Sequence, residues 1–338
     1  MSEKNDSIAP LRIGLVGCGI MGTSLGDNVR KVDGAKLVLV CDTVEEQARE
    51  AADRLSVPFE TDVDATLARD DLHGVIIATP PFLHEPLCVA AANHGKHVFV
   101  EKPMAPTTAA CDRMIEAVQR AQVRLMVGHI LRFFPVHGRI KQMVDQGAVG
   151  KPLFVQFQRV GGGFGGHWAR PWRLKREMSG GMLMEVNAHE IDFMRYLCGE
   201  VSQVFAVGAN HVIKEADYPD LAVVTLSFVD GAVGTLHASQ AYKTGDYCGR
   251  IDGTDGSLLF DFGGENRGIR HRRDGEDDVF IAADDLTAPN ATVAELAAWI
   301  KSIRDGTDPP VSSTDGRATV QIAEAAYESI DTGAAVRL

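Results

Sequence analysis

Short apolar runs alternate with amphipathic stretches over the first 130 residues of the chain. Apolar runs of four to six residues, typical of buried strands, occur at 11–16, 36–41, 74–78, 97–100 and 124–127. Helical patterns lie between several of them, at about 44–55, 81–94 and 107–121. Strands that alternate with helices predict right-handed crossovers and a parallel sheet. We therefore predict a doubly wound α/β domain in residues 1–130.

The pattern changes in residues 131–338, where strand-like runs follow one another. These runs are 152–160, 201–209, 221–229, 232–239 and 246–260. Helical patterns occur at about 181–198, 291–304 and 315–332. Asp230-Gly231 and Asp255-Gly256 are hairpin signals between β runs. We predict a second α/β domain with a mostly antiparallel sheet packed on helices.

The most specific motif joins the first strand to the helix that follows it. The loop Gly17-Cys18-Gly19-Ile20-Met21-Gly22 has the G-x-G-x-x-G spacing, and Asp42 ends the next strand 20 residues later. In a strand–loop–helix context this is a dinucleotide-binding fingerprint, in which the helix N-terminus faces the pyrophosphate. We expect the loop residues and Asp42 to bind the cofactor.

Asp42 also indicates which dinucleotide binds. A carboxylate accepts hydrogen bonds from ribose hydroxyls and repels the 2′-phosphate of NADP, and no Arg or Lys follows until Arg49. The sequence therefore favours NAD. Asp42 also has the position of a cap for the helix from Val44, and that role is compatible with the first.

Composition and charge narrow the function classes. The formal net charge of -12 argues against binding of nucleic acid, and no apolar run approaches the length of a membrane span. The first ten residues carry no signal-peptide pattern, and the six cysteines are scattered without a C-x-x-C. We expect a cytoplasmic protein with reduced cysteines.

Parallel sheets bind ligands at the carboxyl ends of their strands. Thr79 and Pro80 follow one strand, with His84 just beyond, and Glu101 and Lys102 end the next. We expect Thr79, Pro80, Glu101 and Lys102 to contact the cofactor. A lysine there can stabilise negative charge that develops on an oxygen, or it is an ordinary surface lysine. His84 is either a cofactor contact or a histidine that packs beside the loop.

A second candidate set lies in the later domain. If residues 181–198 are helical, Glu185 and His189 lie at i and i+4, with Asp192 one turn beyond. A carboxylate beside an imidazole can orient it for proton abstraction from an alcohol. The alternatives are an ion pair facing solvent and a subunit contact. Because no third ligand is evident, we predict no metal site.

The glycine-rich segment 161–176 has the composition of a substrate loop. Its aromatic rings and donors suit a polyhydroxylated ring, and they belong to His167, Trp168, Arg170, Trp172 and Arg173. Arg132 could bind a substrate hydroxyl or carboxylate, or serve a structural role. An ordinary surface loop or a subunit contact is the alternative for 161–176.

Taken together, and in their order along the chain, these motifs resemble those of the glucose–fructose oxidoreductase and inositol dehydrogenase (Gfo/Idh/MocA) family. The resemblance rests on five segments spread over nearly the whole chain: 17–22, 78–84, 101–103, 128–135 and 180–189. It implies a Rossmann domain followed by a domain with a large open, mostly antiparallel sheet.

The resemblance also implies a chemistry and its residues. It implies NAD(P)-dependent redox chemistry on sugars, sugar acids, cyclitols or related polyols, in which Lys102 and His189 hold the reacting hydroxyl. Relatives commonly have a cis bond before the proline that follows this lysine. Many relatives have Asp where this chain has Glu185, so its side chain is one methylene longer. Glu185 then either supports His189 or reaches a neighbouring hydroxyl.

These observations predict an NAD-dependent dehydrogenase of a sugar, sugar derivative or cyclitol. The first alternative is an NADP-dependent ketosugar reductase, and the second is an NAD(H)-binding sensor or scaffold without turnover. The resemblance suggests a homodimer or homotetramer, since an open sheet face tends to pair with a symmetry mate.

Overall fold

The structure is a computed structural model that describes residues 9–161, 169–263 and 267–338. These residues form two compact units. The first contains the described residues through Met104, together with Ala110–Gly128 and Thr292–Ser313. The second contains Ala105–Ala109, the described residues of 129–291, and Thr314–Leu338.

The elements are numbered here in chain order. The strands are β1 Leu11–Val16, β2 Ala35–Cys41, β3 Phe59–Glu60, β4 Gly74–Ile77, β5 His97–Glu101, β6 Leu125–Gly128, β7 Pro152–Val160, β8 Val201–Ala209, β9 Leu221–Phe228, β10 Val233–Ser239, β11 Asp246–Gly253, β12 Gly256–Asp261, β13 Gly268–Arg273, β14 Val279–Ala282 and β15 Val336–Arg337. The α-helices are α1 Ile20–Val29, α2 Glu45–Leu55, α3 Val63–Leu67, α4 His84–Asn93, α5 Thr108–Ala121, α6 Pro135–Asp145, α7 Arg176–Ser179, α8 Gly181–Glu185, α9 Ala188–Cys198, α10 Ala291–Asp305 and α11 Ser313–Thr332.

The first unit is built on a six-stranded parallel sheet. Its strand order is β3-β2-β1-β4-β5-β6, and every described pair is parallel. β1 and β4 are fully buried over most of their length, as the continuous apolar runs indicate. The order reverses between β1 and β4, which is where ligands bind in doubly wound sheets. The predicted Rossmann architecture is confirmed.

Helix α10 belongs mainly to this first unit although it comes late in the chain. Its Trp299 is fully buried and meets the ring of Phe99 edge-on, with centroids 5.9 Å apart. The Arg304 guanidinium donates a hydrogen bond to the carbonyl oxygen of Gly34 at 2.9 Å. The predicted boundary near residue 130 is therefore one of several places where the chain passes between units.

The second unit is built on a nine-stranded sheet. Its order is β14-β13-β12-β11-β7-β10-β9-β8-β15. β7 and β10 are parallel, and the other described pairs are antiparallel. The predicted mostly antiparallel sheet is confirmed, and the Asp230-Gly231 turn joins β9 to β10. One side packs into a core that includes Phe157, Phe193 and Phe260.

One element departs from its predicted form. A continuous helix was expected over about 181–198, but the structure has two helices, α8 and α9, with a turn at Val186 and Asn187. Glu185 therefore ends one helix, and His189 is the second residue of the next. Their i, i+4 spacing does not place them on one helical face.

Among the described residues, no helix is long and apolar enough to cross a membrane.

Candidate active site

The glycine loop of the first unit has the geometry that its spacing predicts. Gly17 has a φ of +96°, and a Cβ there would lie 2.7 Å from the carbonyl oxygen of Ala78. A Cβ on Gly22 would lie 1.9 Å from the carbonyl oxygen of Gly17, so only glycine permits this approach of helix to strand. Around a Cβ on Gly19, by contrast, the described residues place no heavy atom within 4 Å. The loop is thus closed toward the sheet and open at Gly19.

The Asp42 side chain links the glycine loop to the backbone just before α2. One carboxylate oxygen accepts a hydrogen bond from the backbone N–H of Cys18 at 2.8 Å. The other accepts from the N–H of Val44 at 2.9 Å, at the start of α2. Burial, together with the Asp42 charge, raises the pKa of the Cys18 thiol to about 12. Val44 is the N-cap residue of α2, so the second bond lies just before the helix, and the two bonds together hold the carboxylate beside the glycine loop.

The turns after β4 and β5 are neighbours, because Ile77 and Val100 are paired in the sheet. In the first turn, the hydroxyl oxygen of Thr79 is buried and has no hydrogen-bond partner among the described residues. In the second, the backbone N–H of Lys102 donates to the Glu101 carboxylate at 3.1 Å. The Lys102–Pro103 bond is cis, as the resemblance predicts.

His84 lies behind these turns, not on their open side. Its side chain is 0% exposed, and its two ring nitrogens each lie 2.9 Å from a backbone carbonyl oxygen, of Pro103 and of Thr79. Burial lowers the pKa of the imidazole. A ring enclosed in this way packs beside the loop, so the predicted direct contact with a cofactor is not supported.

In the second unit, Glu185 is paired with Arg173. Their side chains form an ion pair and are only 10% and 16% exposed. The Arg173 guanidinium also stacks on the ring of Trp172, 4.6 Å from its centroid. Burial lowers the pKa of Arg173, and the Glu185 carboxylate opposes that effect. The structure thus brings Arg173 of the predicted substrate loop to Glu185.

His189 is the second residue of α9 and is half-buried. The ring of His129, which follows β6, lies edge-on to it with centroids 6.2 Å apart. The neighbouring side chains Asn187 and Glu190 are fully buried and hydrogen-bonded to each other at 3.1 Å. The turn before His189 is therefore fixed by buried polar contacts.

Arg132 is held by buried carboxylates. Its guanidinium makes two hydrogen bonds to Asp192, at 2.8 and 2.6 Å, and lies 3.3 Å from Asp315. The Asp192 side chain is 0% exposed and that of Arg132 is 6% exposed. Burial lowers the pKa of Arg132, but these carboxylates outweigh it and the net shift is upward. These contacts favour the structural alternative for Arg132 over substrate binding.

Two predicted substrate-loop residues, His167 and Trp168, lie outside the described residues, while Arg170 is exposed. His129 was not singled out from the sequence. Its position directly after β6 was the available signal, because residues that follow parallel strands line the ligand-binding edge. No comparable pattern in the sequence predicts the pairing of Arg173 with Glu185.

The first unit fits a dinucleotide by its own geometry. The opening at Gly19 leaves room for a pyrophosphate, and the first N–H groups of α1 lack partners within the helix. The side chains of Ile20 and Met21 at that helix start are 63% and 50% exposed. The Thr79 hydroxyl adds a buried polar atom at the neighbouring strand end.

Comparison with known families agrees with this geometry. A model for an oxidoreductase family with an NAD-binding Rossmann fold matches residues 11–129, and one for the GFO/IDH/MocA C-terminal domain matches residues 137–259. The chain belongs to the GFO/IDH/MocA family of oxidoreductases. Its N-terminal unit is accordingly an NAD-binding Rossmann domain.

Individual members of the GFO/IDH/MocA family cover much or all of the chain. It is 30% identical over 336 residues to a myo-inositol 2-dehydrogenase of Thermotoga maritima, covering 97% of this chain and 98% of the relative. It is 31% identical over 256 residues to a 2,7-anhydro-N-acetylneuraminate hydratase of Mediterraneibacter gnavus, covering 73% of this chain and 66% of the relative. A levoglucosan dehydrogenase solved with NADH and levoglucosan has a TM-score of 0.86 at 26% identity, covering 97% of this chain and 99% of that chain.

Proposed function

We propose that this protein is an NAD-dependent dehydrogenase that oxidises a secondary hydroxyl of a sugar, sugar derivative or cyclitol. The observation that carries the choice of NAD is the carboxylate of Asp42, bonded to the N–H groups of Cys18 and Val44. Each oxygen retains a lone pair for a ribose hydroxyl, while the negative charge opposes a 2′-phosphate. The names of the relatives, among them a myo-inositol 2-dehydrogenase and a levoglucosan dehydrogenase, support the substrate class.

The residues of the first unit would hold the dinucleotide and the reacting oxygen. NAD, when bound, supplies the hydride acceptor at its nicotinamide ring. The backbone of Gly17–Gly22 would hold the pyrophosphate, and Thr79, Pro80 and Glu101 would line the same edge. The Lys102 ammonium would donate a hydrogen bond to the reacting hydroxyl and stabilise its negative charge as the proton leaves.

The residues of the second unit would move the proton and recognise the sugar. His189 would accept the hydroxyl proton as general base, since an imidazole titrates near neutral pH. Glu185 and Arg173 would bind neighbouring hydroxyls as a pair, the carboxylate accepting and the guanidinium donating. Because Glu185 is held by Arg173, we favour hydroxyl binding over orientation of His189. Trp172 would offer a flat face to the ring.

The test is a steady-state assay over a panel of substrates. The purified protein is mixed with NAD⁺ and a panel of inositols, aldoses, sugar acids and anhydrosugars, and the absorbance of reduced cofactor is followed. Anhydrosugars are included because one relative is a levoglucosan dehydrogenase and another a 2,7-anhydro-N-acetylneuraminate hydratase. Turnover with at least one polyol supports the proposal. Binding of NADH without turnover on the whole panel supports the sensor alternative.

The outer face of the nine-stranded sheet supports assembly with a second copy. Val207 and Val223 are paired across β8 and β9 and are 56% and 40% exposed, and Phe205 and Val233 are exposed nearby. An exposed apolar patch of this kind is commonly covered by the same patch of a second copy in a homo-oligomer. We expect Val207→Asp to lower the mass measured by light scattering after gel filtration, and a monomeric parent protein would contradict this.

A further inference from the structure

The imidazole of His84 bridges two turns of the first unit. Nδ1 lies 2.9 Å from the carbonyl oxygen of Pro103, and Nε2 lies 2.9 Å from that of Thr79. Thr79 follows β4 and Pro103 follows β5, and these strands are neighbours in the sheet. The fully buried ring therefore lies between the turn at Thr79 and the turn that carries Lys102.

We propose that His84 is a positioning residue that fixes the Lys102–Pro103 turn against the Thr79–Pro80 turn. Pro103 is bonded directly to Lys102, so a hold on its carbonyl group restrains the backbone from which the Lys102 side chain projects. The part of this inference that concerns catalysis rests on the proposed function, because that function gives Lys102 its role. The restraint itself is a property of the unit and is measurable without substrate.

The number of hydrogen bonds that the His84 ring can donate limits how it holds the two turns. A neutral imidazole has one N–H, whereas both of its neighbours here are carbonyl acceptors. Burial lowers the pKa of His84, and the nearby charge of Lys102 acts in the same direction. At neutral pH the ring therefore donates to one of the two carbonyl oxygens and lies in contact with the other.

Two conservative substitutions separate the two contacts. The amide nitrogen of His84→Asn falls near the former Nδ1 and can donate to Pro103, whereas that of His84→Gln falls near Nε2 and can donate to Thr79. Amide hydrogen exchange, followed by mass spectrometry, is compared in peptides that cover residues 77–83 and 100–106. Exchange should accelerate at 77–83 in His84→Asn, at 100–106 in His84→Gln, and at both in His84→Ala.

Kinetics provide a second, independent readout. His84→Gln should lower kcat about 10- to 100-fold, because a misplaced lysine costs rate, and leave the KM for NAD⁺ within about threefold. His84→Asn should do the reverse, raising the KM for NAD⁺ while kcat stays within about threefold of the parent value. A residue that only supports the fold would not divide kcat and KM in this way.

Two matched histidines serve as controls. His97 lies at the opposite end of β5, where its Nδ1 accepts a hydrogen bond from the Arg124 N–H at 2.9 Å. His97→Gln should lower stability but leave kcat and the exchange of residues 100–106 unchanged. His94 is exposed at the C-terminus of α4, and His94→Gln should change none of these quantities.

Two results would overturn the inference. One is exchange that rises uniformly through the first unit in both amide variants, with parallel losses of kcat. The other is unchanged exchange at both turns in His84→Ala. If the parent protein turns over no polyol, the proposed function fails, while the exchange pattern alone still decides whether His84 holds the two turns.

Discussion

The candidate functional residues of the two units differ in what fixes their geometry. In the first unit, the loop Gly17–Gly22 is defined by backbone contacts at Gly17 and Gly22 that no other residue type permits. In the second unit, Glu185 and His189 are placed by partners distant in the chain, such as Arg173 and His129. A site built from backbone geometry leaves a readable pattern in the sequence, whereas a site built from side-chain pairs leaves little.

The largest expected effect is the loss of kcat when either of the two residues that would act on the reacting hydroxyl is replaced. We expect Lys102→Met and His189→Asn each to lower kcat about 100- to 10,000-fold, the usual contribution of a positioned acid, base or charge. Neither should change the equilibrium binding of NADH by more than about threefold. Steady-state kinetics and NADH fluorescence measure the two quantities. His211→Asn, at an exposed position of the same unit as His189, is the control. Variants that keep the parent kcat would remove both residues from the mechanism.

Asp42 is expected to have the next largest effect, on the choice of cofactor. Asp42→Asn removes the negative charge but keeps an oxygen for the Cys18 N–H. The ratio of kcat/KM for NAD⁺ to that for NADP⁺ should fall about 10- to 100-fold, the size of one partly screened charge repulsion. Glu46→Gln makes the same charge change on the exposed first turn of α2 and should leave the ratio unchanged. An unaltered ratio in Asp42→Asn would mean that this carboxylate only holds the backbone of Cys18 and Val44.

The Arg173–Glu185 pair should show a smaller effect, divided between substrate binding and stability. Glu185→Gln should raise the KM for the sugar about tenfold and lower the free energy of unfolding by about 2 kcal/mol, because it leaves Arg173 buried without its counter-charge. Combined with Arg173→Gln, the losses should be smaller than the sum of the single ones. Asp278→Asn breaks an exposed pair with Arg272 and should leave the free energy of unfolding nearly unchanged, because solvent screens that pair. Additive effects would show that Arg173 and Glu185 act independently.

The contrast between backbone geometry and side-chain pairs also explains which parts of the fold and of the candidate site the sequence predicts. The Rossmann sheet, the glycine loop and the antiparallel sheet follow from apolar periodicity and glycine spacing, which are local properties. The break between α8 and α9 was missed because the residues around it have an ordinary helical pattern. A tertiary contact stabilises that turn, because Arg159 of β7 donates hydrogen bonds to the Val186 carbonyl oxygen and to the Glu190 carboxylate. The sequence leaves His84 and Arg132 each with a ligand-binding and a structural alternative, because spacing cannot show that their partners are backbone carbonyl groups and carboxylates.

The two units can be compared in acid through a histidine of each, the half-buried His97 of the first unit and the buried His137 of the second. Burial lowers the pKa of His97 in the first unit to about 4 and that of His137 in the second to about 3. Because the folded values lie below the ordinary value, the unfolded chain binds more protons between about pH 6.5 and pH 4. Stability is therefore full above this window and falls as the pH drops through it, by up to about 1.4 kcal/mol per pH unit for each imidazole.

His137→Phe isolates the contribution of the second unit. The phenyl ring keeps the stacking with Phe262 but cannot titrate. In urea unfolding at several pH values, this variant should lose less stability on acidification than the parent, by up to about 1.4 kcal/mol per pH unit. An identical pH slope in both proteins would show that His137 does not bind its proton on unfolding.

The most direct test of the central claim is turnover of a polyol panel with NAD⁺ and, separately, with NADP⁺. The geometry of Asp42, Lys102 and the glycine loop predicts turnover of at least one sugar or cyclitol, with kcat/KM at least about tenfold higher for NAD⁺. Preference for NADP⁺ would contradict the assignment of Asp42. Binding of NADH with no turnover on any substrate of the panel would contradict the dehydrogenase itself.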